Sequence, residues 1–124
     1  MGNVIVAAIP IEPPDGERCW AFYVINDDAE PIERVLVESV STEWGDAGSS
    51  EAIGILYGGI APGAYLEVHR ETDTELRTGL SLAVTVGGIA REVYAAFGRL
   101  YAPSQHRLVP IPILGKDGLL AERG

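Results

Sequence analysis

The sequence has one cysteine, Cys19, so no internal disulfide can staple the chain. Cys19 lies in the most apolar stretch with no base beside it, which reads as a small buried hydrophobe and not as a nucleophile. Basic side chains are scarce as well: 9 Lys and Arg stand against 18 Asp and Glu, a formal net charge of -9. A field of that sign repels phosphate backbones and anionic lipid surfaces, so neither nucleic acid nor a membrane is an expected partner. Long apolar runs are missing too, and none reaches the length of a membrane-spanning helix. The first short run, in MGNVIVAAIPIEPPDG, has no basic leader and is cut by Pro10, unlike a secretory signal. These absences give a cytoplasmic protein as the expectation.

The vocabulary of catalysis is equally thin. Glycine is frequent, 15 residues, yet Gly58, Gly59 and Gly63 make neither a dinucleotide fingerprint nor a Walker loop, and no helix start follows to receive a phosphate. Neither His69 nor His106 stands at a telling distance from a candidate nucleophile such as Ser49 or Ser104. No cofactor is expected, and a non-enzymatic reading is favoured over an enzyme.

What is present is the material of a core. Of the residues, 47% are hydrophobic and 22% charged, the balance of an ordinary globular protein. A chain of 124 residues can bury about two thirds of its unfolded surface around a single core. The expected organisation is one domain over 1–124, with extended apolar arms at 3–14 and 108–114. The richest stretch is CWAFYVINDDAEPIERVLVES. Trp20, Phe22 and Val24 alternate with Cys19, Ala21, Tyr23 and Ile25, so both faces are apolar, as in an interior strand. Asn26 to Pro31 stops the ladder. From Ile32 to Ser41 a second strand turns Val35 and Val37 one way and Leu36 and Val40 the other, with Arg34 and Glu38 interrupting the second face. The two strands read as a hairpin closed by an acidic turn.

The remaining pattern suggests an edge strand at 3–9, a proline loop at 10–17, a loop at 42–51 and a short strand at 52–57. IAPG, residues 60–63, reads as a turn into the strand 64–70, where Leu66 and Val68 face inward and Tyr65, Glu67 and His69 outward. Leu80, Leu82, Val84 and Val86 mark another strand, with Ser81, Ala83 and Thr85 on its wet face. Gly87-Gly88 supplies a two-residue hairpin turn. Residues 89–101 fit both periods: Ile89, Val93, Phe97 and Tyr101 recur as on a helix, which would make the fold α+β, while the turn before them calls for a returning strand. The strand is favoured, because no N-cap precedes Ile89 and Gly98 interrupts a helix. LVPIPIL, 108–114, carries Pro110 and Pro112 on one side and can pair only along its other edge or lie as a cover. A turn at 115–118 and a fraying end complete the chain.

About seven short strands with turn residues between them point to an all-β fold, an antiparallel β-sandwich. FYVIND, PIERVLVESV and IAPGAYLEVHR resemble the strand, turn, strand and "PG" corner of immunoglobulin-like accessory modules of bacterial proteins, a resemblance that spans residues 18 to 86. It implies an immunoglobulin-like sandwich and a binding or scaffold role. The lone cysteine departs from antibody-type domains, since no inter-sheet disulfide is available to pack on Trp20.

Two polar clusters qualify as candidate sites. Glu67, His69, Glu71, Asp73 and Glu75 share one face if the strand runs straight through, and His with carboxylates can hold a divalent metal. The same residues also serve as a solvated strand face. Asp27, Asp28 and Glu30 lack the spacing of a calcium loop and read as turn chemistry. The favoured function is a protein-interaction or structural module that binds a partner protein or itself through its apolar ends, IVAAIPI and LVPIPIL. The alternative is a metal- or ligand-binding enzyme using Glu67, His69 and Glu71.

Overall fold

A computed structural model describes residues 4–11, 19–44, 47–72, 77–98 and 107–121. These form nine strands and no helix: β1 (Val4–Ile11), β2 (Cys19–Asn26), β3 (Arg34–Trp44), β4 (Ala47–Tyr57), β5 (Tyr65–Thr72), β6 (Arg77–Val86), β7 (Ile89–Phe97), β8 (Val109–Ile111) and β9 (Lys116–Leu120). They build two antiparallel sheets, one in the order β5-β2-β1-β9-β8 and the other β4-β3-β6-β7. The all-β sandwich expected from the strand pattern is the architecture found. No helix among the described residues is long and apolar enough to cross a membrane.

The inner faces meet in one cluster. Val6 and Ala8 of β1, Trp20, Phe22 and Val24 of β2, and Val68 of β5 pack with Val35 and Val37 of β3, Leu80, Leu82 and Val84 of β6, and Phe97 of β7. Complete burial of a Leu or Val side chain stabilises by about 1.5–3 kcal/mol, so the alternation of β6 alone commits it to this register. Phe22 and Phe97 meet edge to face, with ring centroids 5.1 Å apart, and tie the sheets together.

β2 and β3 do not pair, which corrects the hairpin expectation. β2 lies between β1 and β5, β3 between β4 and β6, and residues 27–33 carry the chain from one sheet to the other. The turn chemistry at Asn26 to Pro31 was read correctly as a stop, but a stop does not say whether the chain folds back or crosses over. Crossing is decided by Ile32, which is buried and bridges to Ile60. Asn26, itself buried, locks the corner. Its side-chain amide donates to the Glu30 and Ile60 carbonyls at 2.8 and 3.0 Å, while the Gly63 amide donates to its backbone carbonyl at 2.9 Å. The loop that receives these bonds is the IAPG turn: Ala64 N–H closes on Ala61 C=O at 3.0 Å, with Pro62 and Gly63, at φ 75°, in the two central places of a type II turn.

Other boundaries also differ. β1 is not an edge, since β9 joins its far side at Ala7↔Leu120 and Ala8↔Leu119; Pro10 is tolerated because that pairing does not extend to it. Residues 42–51, read as a loop from Gly and Ser, carry the β3–β4 ladder through Thr42↔Ser49 and Trp44↔Ala47, residues 45 and 46 lying outside the described part. Over Ile89–Phe97 the returning strand is found and the helix is not; nine consecutive pairs join it to β6. Gly87 and Gly88, at φ 60° and 77°, make that turn, and Gly88 N–H donates to Glu33 Oε1 at 2.8 Å.

The apolar ends are not free arms. β1 pairs with β2 over its full length, and LVPIPIL forms β8 and its turn, with β8 paired to β9. Ile111 of β8 joins Ala7, Ile9 and Ile25 in a second buried cluster on the outer face of the five-stranded sheet, with Ile5, Tyr23, Val109 and Leu114 around it. Of the stretch 115–118 read as a turn with a fraying end beyond it, Gly115 does turn, but Lys116–Leu120 is strand β9 because Gly118 lets it close on β1. A Cβ there would stand 2.5 Å from the Ala8 carbonyl oxygen and from Ile9 Cδ1.

Candidate functional site

The residues nominated from sequence lie on β5, at the edge of the five-stranded sheet. The strand does not run straight through them. Phe22 pairs with His69 but Tyr23 with Glu67, so Val68 is an extra residue, a β-bulge. A bulge resets the alternation. Val68 enters the core, and the His69 ring stays on the same side, 5.7 Å from the Phe22 centroid. Glu67 is left on the outer face beside Tyr23, where the Arg70 guanidinium grips its carboxylate.

The predicted one-face constellation is therefore divided. His69 Nε2 meets Glu71 Oε2 at 3.1 Å, and both side chains are partly buried at the lip between the sheets. Glu67 belongs to a separate outer group with Arg70, Tyr23 and Tyr65. Burial raises the Tyr23 phenol above its ordinary range, and the negative charge of Glu67 raises it further. Asp73, Glu75 and His106 lie outside the described residues. Among the described residues no group of three or more His, Cys, Asp or Glu could hold a metal ion. The hollow here, about 220 Å³ between Tyr57 and residues 67–70, is shallow and open to solvent. A 3.1 Å hydrogen bond from the Tyr57 hydroxyl to the Val68 carbonyl ties the two sheets across it. The acidic turn holds an Asx contact, Ala29 N–H to Asp28 Oδ1 at 2.7 Å.

A different surface gathers the polar and apolar groups that a contact site needs. It is the outer face of the four-stranded sheet, and its rows follow from the register. Leu56, Leu36, Ala83 and Glu92 run side by side across β4, β3, β6 and β7; the next row is Ser39, Ser81 and Tyr94; the next is Ser41, Gly79 and Ala96. In these rows the central strand β6 offers the small side chains Ala83, Ser81 and Gly79, and a shallow trough runs along it between β3 and β7. Tyr94 stands beside it on β7 and Leu56 beyond Leu36 on β4, 60% and 61% exposed.

Two side chains close over the trough. Glu38 is the extra residue of a second bulge, between Val37 and Ser39 of β3. A side-chain hydrogen bond with Glu92 of β7, with some desolvation and the Glu92 charge, holds the Glu38 carboxyl above the usual carboxylate range. Further along, the Tyr94 hydroxyl lies 3.4 Å from Ser41 Oγ and presses over Gly79, where a Cβ would collide with it.

The sequence marked Glu38 as an interruption of an apolar face and Ser81 and Ala83 as outward, but not that they meet. The joining signal, two carboxylates facing across one strand of small residues, exists only once β3, β6 and β7 are placed in order. A scan against protein-family models finds no family that matches this chain, and a search of curated proteins finds no match either.

Proposed function

We propose that this chain is an immunoglobulin-like sandwich that acts by contact with another protein through the outer face of its four-stranded sheet. The strand order supports the fold-level part. With β1 to β7 lettered A, B, C, C′, E, F and G, the sheets read E-B-A and C′-C-F-G, the arrangement of immunoglobulin-type sandwiches. The β8–β9 hairpin is an addition beside strand A. Trp20 departs from the antibody pattern by lying on strand B instead of strand C.

One observation carries the functional part. The described chain folds β8 over the outer face of the five-stranded sheet, while Leu56 and Tyr94 stay exposed on the outer face of the other. Large exposed apolar side chains on a flat surface are what a protein contact uses. The ends IVAAIPI and LVPIPIL, first expected to dock, are spent on each other.

A photo-crosslinking amino acid in place of Tyr94, in cells, tests this reading. A discrete protein adduct is expected from position 94 and not from Asp117, an exposed residue on the opposite sheet. No adduct from position 94, or equal labelling from both, overturns it.

A further inference from the structure

We propose that this protein pairs with a second copy of itself along β7, edge to edge, so that two four-stranded sheets join into one continuous sheet. The inference concerns a strand edge and stands apart from the contact-face reading.

The described sheets end in β5 and β8 on one side of the sandwich and in β4 and β7 on the other. The outer edge of such a strand offers unpaired N–H and C=O groups to any further strand, and folds blunt it with bulges, prolines or charges. Here β5 carries the Val68 bulge, with the Glu67–Arg70 pair beside it. β8 is 3 residues long with Pro110 at its centre. On β4 the ladder breaks opposite Glu38, where Gly54 stands at φ 68°. β7 has none of these devices: IAREVYAAF holds neither proline nor glycine, and its 9 residues keep one register on β6 without a shift. Ile89, Ala90, Arg91 and Glu92 are all exposed, so this half of the strand is open on both of its faces.

The strand also matches itself. Residues directly opposite in an antiparallel pair share a face of the sheet, and a two-fold axis through the sheet keeps every residue on its own face. The axis must therefore pass midway between one residue and its own copy. Centred on Arg91 the pairing opposes Arg to Arg, and centred on Glu92 it opposes Glu to Glu; either is a like-charge clash. Centred on Tyr94 it leaves Ile89 and Ala90 outside the ladder. Centred on Val93 it spans Ile89–Phe97 from end to end. Ile89, 68% exposed in the single chain, then comes opposite Phe97 of the second copy, Arg91 opposite Ala95, and Glu92 opposite Tyr94. No like charges face each other, and the one Arg and one Glu of the strand cancel. The net charge of -9 on each copy acts against association from a distance, and salt screens it.

Sedimentation equilibrium of the whole protein over a wide range of concentration, at low and at high salt, tests the pairing, with Tyr94→Glu and E92K/Y94E beside the parent. Expected are a monomer–dimer equilibrium moved toward dimer by salt and, at low salt, about tenfold weaker association in Tyr94→Glu, where like charges face each other at two symmetric places. E92K/Y94E, with opposite charges at those places, should recover it. A second measurement reads the register: residues directly opposite stand about 4.5–5.5 Å apart at Cα, within disulfide reach. In a Cys19→Ser background, Val93→Cys should therefore give a linked dimer under mild oxidation, and Glu92→Cys should not. A parent that salt dissociates, Tyr94→Glu associating as well as the parent, E92K/Y94E no tighter than Tyr94→Glu, or linkage at 92 equal to that at 93 overturns the proposal. A monomer at every concentration overturns it too, and leaves the edge to a strand of another protein.

Discussion

The outer faces of the two sheets are built from the same alternation and end differently. On the five-stranded sheet the outward residues are Ile5, Ala7, Ile9, Ala21, Tyr23 and Ile25, and the chain returns at β8 to cover them with Ile111 and Val109. On the four-stranded sheet the central outward residues are Gly79, Ser81 and Ala83, and no strand of the described chain lies over them, the Tyr94 ring alone closing over Gly79. Large apolar side chains on an outer face must find a cover, because each leaves apolar area in water at about 25 cal/mol per Å². Small ones make no such demand. What they leave is a flat floor from which a few large or charged groups, Tyr94, Leu56 and Glu92 among them, stand out.

The sharpest way to break this contrast is to truncate one large side chain on each face. Ile111→Ala removes the plug of the second cluster, where the side chain is 3% exposed, and should cost about 2–4 kcal/mol. Leu56→Ala, at a side chain mostly in water, should change stability by no more than about 0.5 kcal/mol. Urea unfolding of both variants measures the difference. Equal losses would mean that the four-stranded face is covered after all, or that the hairpin contributes nothing to the fold.

A smaller effect separates the hairpin's cover from its cost. Ile113, in the turn between β8 and β9, has φ 72°, a left-handed conformation that a β-branched residue adopts only under constraint. The turn is held by the Leu114 N–H to Pro112 C=O bond at 2.8 Å and by Leu114 packed into the second cluster. Ile113→Gly should therefore raise stability by about 0.5–1 kcal/mol, the relief of strain less the freedom glycine gains when unfolded. No gain in the urea midpoint would show that the turn is not held in that conformation, and with it that the cover is loosely seated.

How much of this was legible follows the range of the interactions. Alternation along Leu80 to Val86 and the Gly87-Gly88 and IAPG turns are local, and the strands and turns they promise are found. The two-faced character of Cys19 to Asn26 was legible too, as an interior strand, since its second apolar face is the one covered by Ile111. What local pattern could not supply was partnership. Asn26 to Pro31 has the residues of a turn whether the next strand returns or crosses, and only the buried Ile32–Ile60 bridge distinguishes them. One residue divides the β5 constellation: Val68 is apolar, as alternation requires, yet its bulge places His69 and Glu67 on opposite faces. Bulges arise from cross-strand register and leave no local mark. The Glu38–Glu92 pair was hidden for the same reason, as its members are 54 positions apart (92 − 38 = 54) and meet across a third strand.

The smallest expected effect probes the open face from the side of its charge. Glu38 binds its proton more tightly in the fold than in the unfolded chain, because the protonated carboxyl hydrogen-bonds Glu92. A group whose folded pKa is raised contributes stability that is fully present below the unfolded pKa and lost as pH rises through the folded pKa. At neutral pH the pair is thus a repulsion, and in acid a hydrogen bond. Glu38→Gln keeps a donor toward Glu92 at every pH, so the variant should melt slightly higher than the parent at pH 7, with the advantage fading below the ordinary carboxylate range, in paired thermal melts across that window. Both groups are open to water, where such pairs are weak and screened by salt, so added salt should shrink the difference at pH 7. An unchanged advantage in acid would assign it to something other than the shared proton. The open face would then carry two independent acids.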